Sequence, residues 1–231
     1  MIIARELFRI YTMGKVRVNA LNGVSIAIQH GEFVGITGPS GSGKSTLMHL
    51  LGLLDHPTAG EIEIDGIRTN TLTKEQRQVF RLHRLGFVFQ EYALVPELTV
   101  FENVILPFMA REEPPDSSRD RVIEILKIIG LGERTDHLQS ELSGGEQQRV
   151  AIARAIAGNP SILFADEPCA NLDTENSQII LDLFARINRE MGQTIVMVSH
   201  EDWHQDYFGR IIRLRDGRVV SDGTEAGHET A

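Results

Sequence analysis

The chain has 231 residues, 42% of them hydrophobic and 24% charged, which fits one large soluble α/β domain. A formal net charge of −9 gives no basic field to draw in nucleic acid or an anionic lipid surface, and one cysteine, Cys169, excludes an internal disulfide framework. The early charges of Met1-Ile2-Ile3-Ala4-Arg5-Glu6 do not fit a secretory signal, and no apolar run reaches the length of a membrane span.

Residues 1–35 and 59–67 read as β, with alternation or β-branched enrichment in segments 7–11, 24–28 and 60–66. The alternation from Glu61 to Asp65 predicts a strand with one wet face, as antiparallel sheets allow. Tyr11, near a strand end, offers a ring that could stack on an adenine, although spacing alone favours an ordinary strand aromatic. The stretch Gly38-Pro39-Ser40-Gly41-Ser42-Gly43-Lys44-Ser45-Thr46 fits G-x-x-x-x-G-K-[ST], the Walker A phosphate loop. Before it lies the apolar run 33–37, and after it the apolar helical start 47–51, so the strand–loop–helix context is present. Gly41 and Gly43 let successive N–H groups converge, and the new helix adds the positive end of its dipole. Lys44 is expected at the β- and γ-phosphates, and the Ser45 hydroxyl on Mg²⁺.

Residues 74–84 look helical, and 85–90 form a short buried-type strand ending on Gln90. From 91 to 158 the chain reads as a mainly helical insertion. Val122, Ile125, Leu126 and Ile129 mark one apolar helix face, preceded by a proline-broken loop at 112–118. Ser143-Gly144-Gly145-Glu146 opens an alanine-rich helix and is a second phosphate cradle by composition; alone it is a simple N-cap with a capping box. Segment 161–167 is a buried strand ending in two carboxylates. Asp166 suits the Walker B role of holding Mg²⁺, and Glu167 could polarise an attacking water. Asp173-Thr174 starts an amphipathic helix carrying Ile179, Ile180, Leu183, Phe184, Ile187 and Met191, closed by Gly192. Segment 194–200 is a further apolar strand, ending at His200, and 210–222 reads as a hairpin around Asp216-Gly217. The tail 224–231 is expected to fray.

Gly38, Gln90, Asp166 with Glu167, and His200 each follow an apolar strand. In open parallel sheets ligands bind outside those carboxyl ends. Gln90 then offers an amide oxygen to the metal or to water, and His200 a donor to a γ-phosphate. His200-Glu201-Asp202-Trp203-His204 also matches H-E-x-x-H, but that zinc pattern requires one helix face, and here the first histidine ends a β-branched run. Two phosphate-binding helix starts on one chain lead to a further expectation: the second completes another subunit's site, so that two chains sandwich two nucleotides.

Together these residues resemble the ATP-binding subunit of ABC transporters, from about Ala4 to Gly223. The resemblance implies an α/β P-loop NTPase core with a mainly parallel sheet, an N-terminal antiparallel β part and an inserted helical subdomain. That is one domain over 1–223, with the core in 1–90 and 159–223 and the helical part in 91–158. It implies ATP and Mg²⁺ as ligands, and Tyr11 as the adenine-stacking residue. Gln90 becomes the Q-loop glutamine, Glu167 the catalytic carboxylate and His200 the switch histidine, with Lys44 aiding catalysis. Segment 142–149 becomes the signature that contacts the partner's ATP, and Asn171-Leu172-Asp173 the D-loop. Segments 14–21, 48–55 and 140–142 are most similar to the ATPases serving lipoprotein-releasing and macrolide-export permeases. In that group Pro168 is usually followed by Thr-Gly where Cys169-Ala170 stands here. The implied protein is a homodimer in its ATP-bound state, on the cytoplasmic face of the membrane. It drives a separate permease docked near residues 90–106, with no nucleic-acid partner and no membrane contact except through that permease. The alternative is a cell-division type of ABC ATPase, which signals through a membrane partner without moving a substrate.

Overall fold

The computed structural model describes residues 1–14 and 16–223. The tail expected to fray lies outside the described residues. Two sheets organise the chain. In the first, β1 (Ile2–Met13) pairs antiparallel with β2 (Val16–Ile28) and with β4 (Ala59–Ile64), which in turn pairs with the short β5 (Ile67–Arg68). The second has the order β10-β9-β3-β8-β7-β6, from β3 (Phe33–Thr37), β6 (Leu85–Val88), β7 (Ile162–Asp166), β8 (Thr194–Val198), β9 (Arg210–Arg215) and β10 (Arg218–Gly223). All its pairings are parallel except the β9–β10 hairpin.

The central strands are apolar throughout because both of their faces are covered. Val34, Ile36, Phe164, Val196 and Val198 point into a core shared with the antiparallel sheet and with α1 (Lys44–Leu51), against Ile2, Leu7, Leu21 and Leu50. Their alternate neighbours Phe33, Leu163, Ala165, Ile195 and Met197 enter a second core under the helices. The two-residue period of the pleat divides each run between two cores. The helices of that second core are α3 (Val100–Ala110), α4 (Pro115–Ile128), α5 (Gly144–Ala157) and α6 (Thr174–Met191); α2 (Lys74–Arg84) precedes β6. Among the described residues no helix is long and apolar enough to cross a membrane.

Three local expectations need correction. The loop expected over 112–118 gives way to helix at Pro115, whose fixed φ suits the first helical position, while Ser118 Oγ donates to the Pro114 carbonyl at 2.8 Å. On α6 the buried stripe is Ile180, Leu183, Phe184 and Ile187; Ile179 and Met191 fall outside it and are exposed. The strand expected to end at Gln90 ends at Val88, so Gln90 lies in the following turn. Gly192 does close α6, in a left-handed conformation.

Candidate functional site

Because β3, β8, β7 and β6 are adjacent and parallel, their carboxyl ends share one edge. Gly38 follows β3, Asp166 ends β7, and Ser199 and His200 follow β8. An open cleft of about 650 Å³ lies at this edge, lined by Gly38, Pro39, Ser40 and Lys44 on one side and by Glu167, His200 and Glu201 on the other.

The phosphate loop runs straight into α1, which, like α4 with its opening prolines, starts without a side-chain cap. Helices α2, α3, α5 and α6 each begin with a side chain accepting a backbone N–H of the first turn: Thr73, Thr99, Ser143 and Asp173. No side chain caps α1, whose N-cap is Gly43 at φ 101. A Cβ on Gly43 would sit 2.5 Å from the Ala20 carbonyl oxygen, so the loop passes where only glycine fits. Uncapped N–H groups at a helix start form an anion site. Lys44 Nζ donates to the carbonyls of Gly38 and Pro39 at 2.9 and 3.0 Å, which holds the ammonium inside the loop.

Ser45 Oγ donates to Asp166 Oδ1 at 3.3 Å, and His49 Nε2 lies 3.6 Å from the other Asp166 oxygen. The hydrogen bond to Asp166 raises the His49 pKa above its ordinary value. One residue on, Glu167 adopts φ 46, a left-handed conformation uncommon for a side chain of this type. Its backbone N–H donates to the Val198 carbonyl at 3.1 Å, and its Oε2 lies 3.3 Å from His200 Nδ1. The strained backbone of one strand end therefore meets the imidazole of the next.

The other predicted residues lie outside this cleft. Gln90 is exposed and contributes its backbone carbonyl, which accepts from Asn171 Nδ2 at 3.1 Å. Tyr11 donates its hydroxyl to Asp55 Oδ2 at 2.9 Å, with the Arg9 guanidinium 4.4 Å from its ring centroid. At the start of α5 the expected capping box is present. Glu146 N donates to Ser143 Oγ and Ser143 N to Glu146 Oε2, which holds the Glu146 carboxyl below its usual range. Gly144 and Gly145 form the first turn of that helix. The turn after Gln90 is fixed from α5: Arg154 donates to the carbonyls of Tyr92 and Ala93, both left-handed residues. The two histidines of the H-E-x-x-H stretch have different partners, His200 facing Glu167 and His204 buried against Ser199.

The family model for ABC transporters matches residues 21–170. The chain belongs to the ABC transporter family. It is an ATP-hydrolysing subunit of that family. Over 217 residues it is 51% identical to the macrolide export ATP-binding/permease protein MacB of Chlorobium luteolum, covering 94% of this chain and 32% of that one. It is 46% identical over 204 residues to the lipoprotein-releasing system ATP-binding protein LolD of Aquifex aeolicus, covering 88% and 91%. The solved dimer of the ATP-binding cassette MJ0796 of Methanocaldococcus jannaschii, in a post-hydrolysis state bound to ADP and Pi, superposes with a TM-score of 0.89 at 42% identity, covering 98% and 100%. The chain thus spans about a third of the MacB length and nearly all of the other two.

Three cleft residues of this ABC ATPase, and His49 beside Asp166, escape motif reading. Arg213 and Gln205 line the cleft and are hydrogen-bonded to each other at 2.8 Å. Arg213 arrives there because β9 pairs in parallel with β3, which sets it beside Thr37. His49 reaches Asp166 from one turn along α1, and Asp202 enters from the loop after β8. None is placed by a motif: Arg213 comes from strand pairing, His49 from α1, and Asp202 and Gln205 from the 3-10 segment after β8.

Proposed function

We propose that ATP with Mg²⁺ binds in this cleft, and that two copies of the chain close on two nucleotides to drive a membrane permease. The observation that carries the proposal is the shared strand edge, where an uncapped helix start, a buried lysine, a Ser45–Asp166 contact and a Glu167–His200 contact meet. In this reading the loop N–H groups, with residues from Gly38 to Thr46, cradle the phosphates, and Lys44 supplies the counter-charge. A hydroxyl and a carboxylate 3.3 Å apart are hard oxygen donors of the kind Mg²⁺ takes, so Ser45 and Asp166 fit the metal, with Gln90 a third donor. When bound, the metal would neutralise charge on the phosphates. Glu167 accepts the proton of the attacking water, and His200 orients Glu167 and donates to the terminal phosphate. Tyr11 stacks on the adenine.

Ser143, Gly144, Gly145 and Glu146 line no part of this chain's own cleft, which supports their action on a second copy. The MJ0796 cassette is described as dimeric, and MacB and LolD are named for macrolide export and lipoprotein release. By that likeness the substrate is exported or extracted from the membrane, and the subunit works on the cytoplasmic face. The permease contact expected near residues 90–106 is best supported by a groove of about 480 Å³. Leu54, Phe87, Phe89, Leu106 and Pro107 line it together with Arg81 and Arg111. Leu94 of the expected segment is buried and packs inward instead.

Two substitutions separate the parts of this proposal. Lys44→Ala should weaken ATP binding by at least tenfold in a calorimetric titration, since a charge-assisted contact contributes about 1.5–3 kcal/mol; unchanged affinity removes the loop from the site. Ser143→Arg should leave nucleotide affinity of the single chain intact and abolish the ATP-dependent dimer. Equal loss of both would mean that the signature acts on its own chain's nucleotide.

A further inference from the structure

One buried titratable group outside those roles stands directly behind His200. His204 belongs to the short 3-10 segment Asp202–Tyr207 and is 3% exposed. Its Nδ1 is hydrogen-bonded to Ser199 Oγ at 2.7 Å, and that same oxygen accepts the Glu201 backbone N–H at 3.2 Å. Ser199 and Glu201 flank His200 in the chain, so one hydroxyl ties the backbone on both sides of it, and His204 fixes the hydroxyl. The His200 side chain itself is 50% exposed, so packing does little to hold it. Its Nδ1 lies 3.3 Å from Glu167 and its Nε2 3.2 Å from Glu201, the residue whose backbone N–H the Ser199 hydroxyl holds.

The other nitrogen of His204 makes no hydrogen bond within the described residues, although it is buried. It lies in the wall of a small cavity of about 130 Å³ that Glu167, Cys169 and His200 also line. Trp203 meets the imidazole edge-on at 4.3 Å and covers it. A buried nitrogen without a partner weakens the fold relative to an apolar side chain of similar size. Core packing therefore does not explain an imidazole here, whereas the bond to Ser199 does.

We propose that His204 is a positioning residue that, through Ser199, holds the His200 imidazole against Glu167. The inference rests on the reading of Glu167 and His200 as the hydrolytic pair. His204→Leu fills the same space and deletes the Ser199 bond. His204→Asn keeps an amide where Nδ1 stood and can restore it. Single-turnover hydrolysis of Mg-ATP by the purified chain should fall about ten- to a hundredfold in His204→Leu, the effect of a small misplacement of a reacting group. ATP affinity should stay within about twofold, because only the hydrolytic step is touched. The melting temperature should hold or rise, and His204→Asn should recover most of the rate. Should His204→Leu fail to fold, Ser199→Ala breaks the same tie from the other side and should show the same split between rate and affinity. A rate within twofold of wild type in His204→Leu or Ser199→Ala overturns the proposal, as does equal impairment of the Leu and Asn variants. Failure of the underlying reading looks different: Glu167→Gln would then hydrolyse ATP normally whatever stands at 204.

Discussion

Burial lowers the His204 pKa from its ordinary 6.5, with a smaller contribution from nearby His200; Glu201 acts in the opposite direction. The unfolded chain therefore binds this proton more readily than the folded one. Stability should fall as pH drops through 6.5 and go on falling until the folded imidazole itself becomes protonated. Denaturant melts of wild type and His204→Leu between pH 5 and about 8 should show the two stabilities diverging below pH 6.5, with wild type losing more. Parallel curves would remove His204 as the source. His49 carries the opposite sign: its pKa is raised by Asp166, so its contribution is present in acid and lost as pH rises through the folded value. Comparing variants at one site isolates His204 from that effect.

At this scale legibility follows a simple physical line. Lys44 and Ser45 could be read from the phosphate-loop pattern, and Asp166, Glu167 and His200 because they stand at the ends of apolar runs, with strand direction doing the rest. His204 and Arg213 could not, since one depends on a 3-10 turn folding back on Ser199 and the other on parallel pairing of β9 with β3. The Cys169 thiol is buried, and desolvation pushes its pKa up to about 12.

Side-chain caps open α2, α3, α5 and α6, whereas α4 starts at Pro115 and α1 starts on the phosphate loop. In α3, Glu102 N donates to Thr99 Oγ1 at 3.2 Å and Thr99 N donates to Glu102 Oε2 at 2.8 Å. Thr99→Ala should destabilise the protein by about 1 kcal/mol, a shift of roughly 2–4 °C in melting temperature for a chain of this size. It should leave nucleotide affinity unchanged, and a loss of affinity would tie α3 to the cleft. The boxes at 73–76, 99–102 and 143–146 all fit the Ser/Thr-x-x-Glu/Gln pattern in the sequence, and the one at 143 also spans a glycine pair. Strand identity was legible from apolar runs, and which core each residue enters follows from the pleat. The start of α4 was not, because Pro114-Pro115 reads as a break when its second proline in fact opens a helix.

For the whole molecule the two cores divide the labour. One fixes the antiparallel sheet and α1 against the central strands, and the other fixes the helices, including the start of α5, to the opposite face. The start of α1 is uncapped within the cleft, and that of α5 is capped and away from it. On the proposed reading, a phosphate cradle in the cleft and a signature away from it suit the chain to pairing head to tail with a copy of itself. In the proposed function, hydrolysis would set how long the pair stays closed, through the difference in affinity of the two states for ATP and ADP.

The most direct test of that account is the solution mass of Glu167→Gln in Mg-ATP and in Mg-ADP, measured by light scattering during gel filtration. The substitution removes the carboxylate that takes the proton and leaves the phosphate loop, Asp166 and the signature intact. The account predicts a dimer in ATP, a monomer in ADP, and loss of the ATP dimer when Ser143→Arg is added. A Glu167→Gln chain that stays monomeric in ATP while binding it tightly would contradict closure of two copies on two nucleotides.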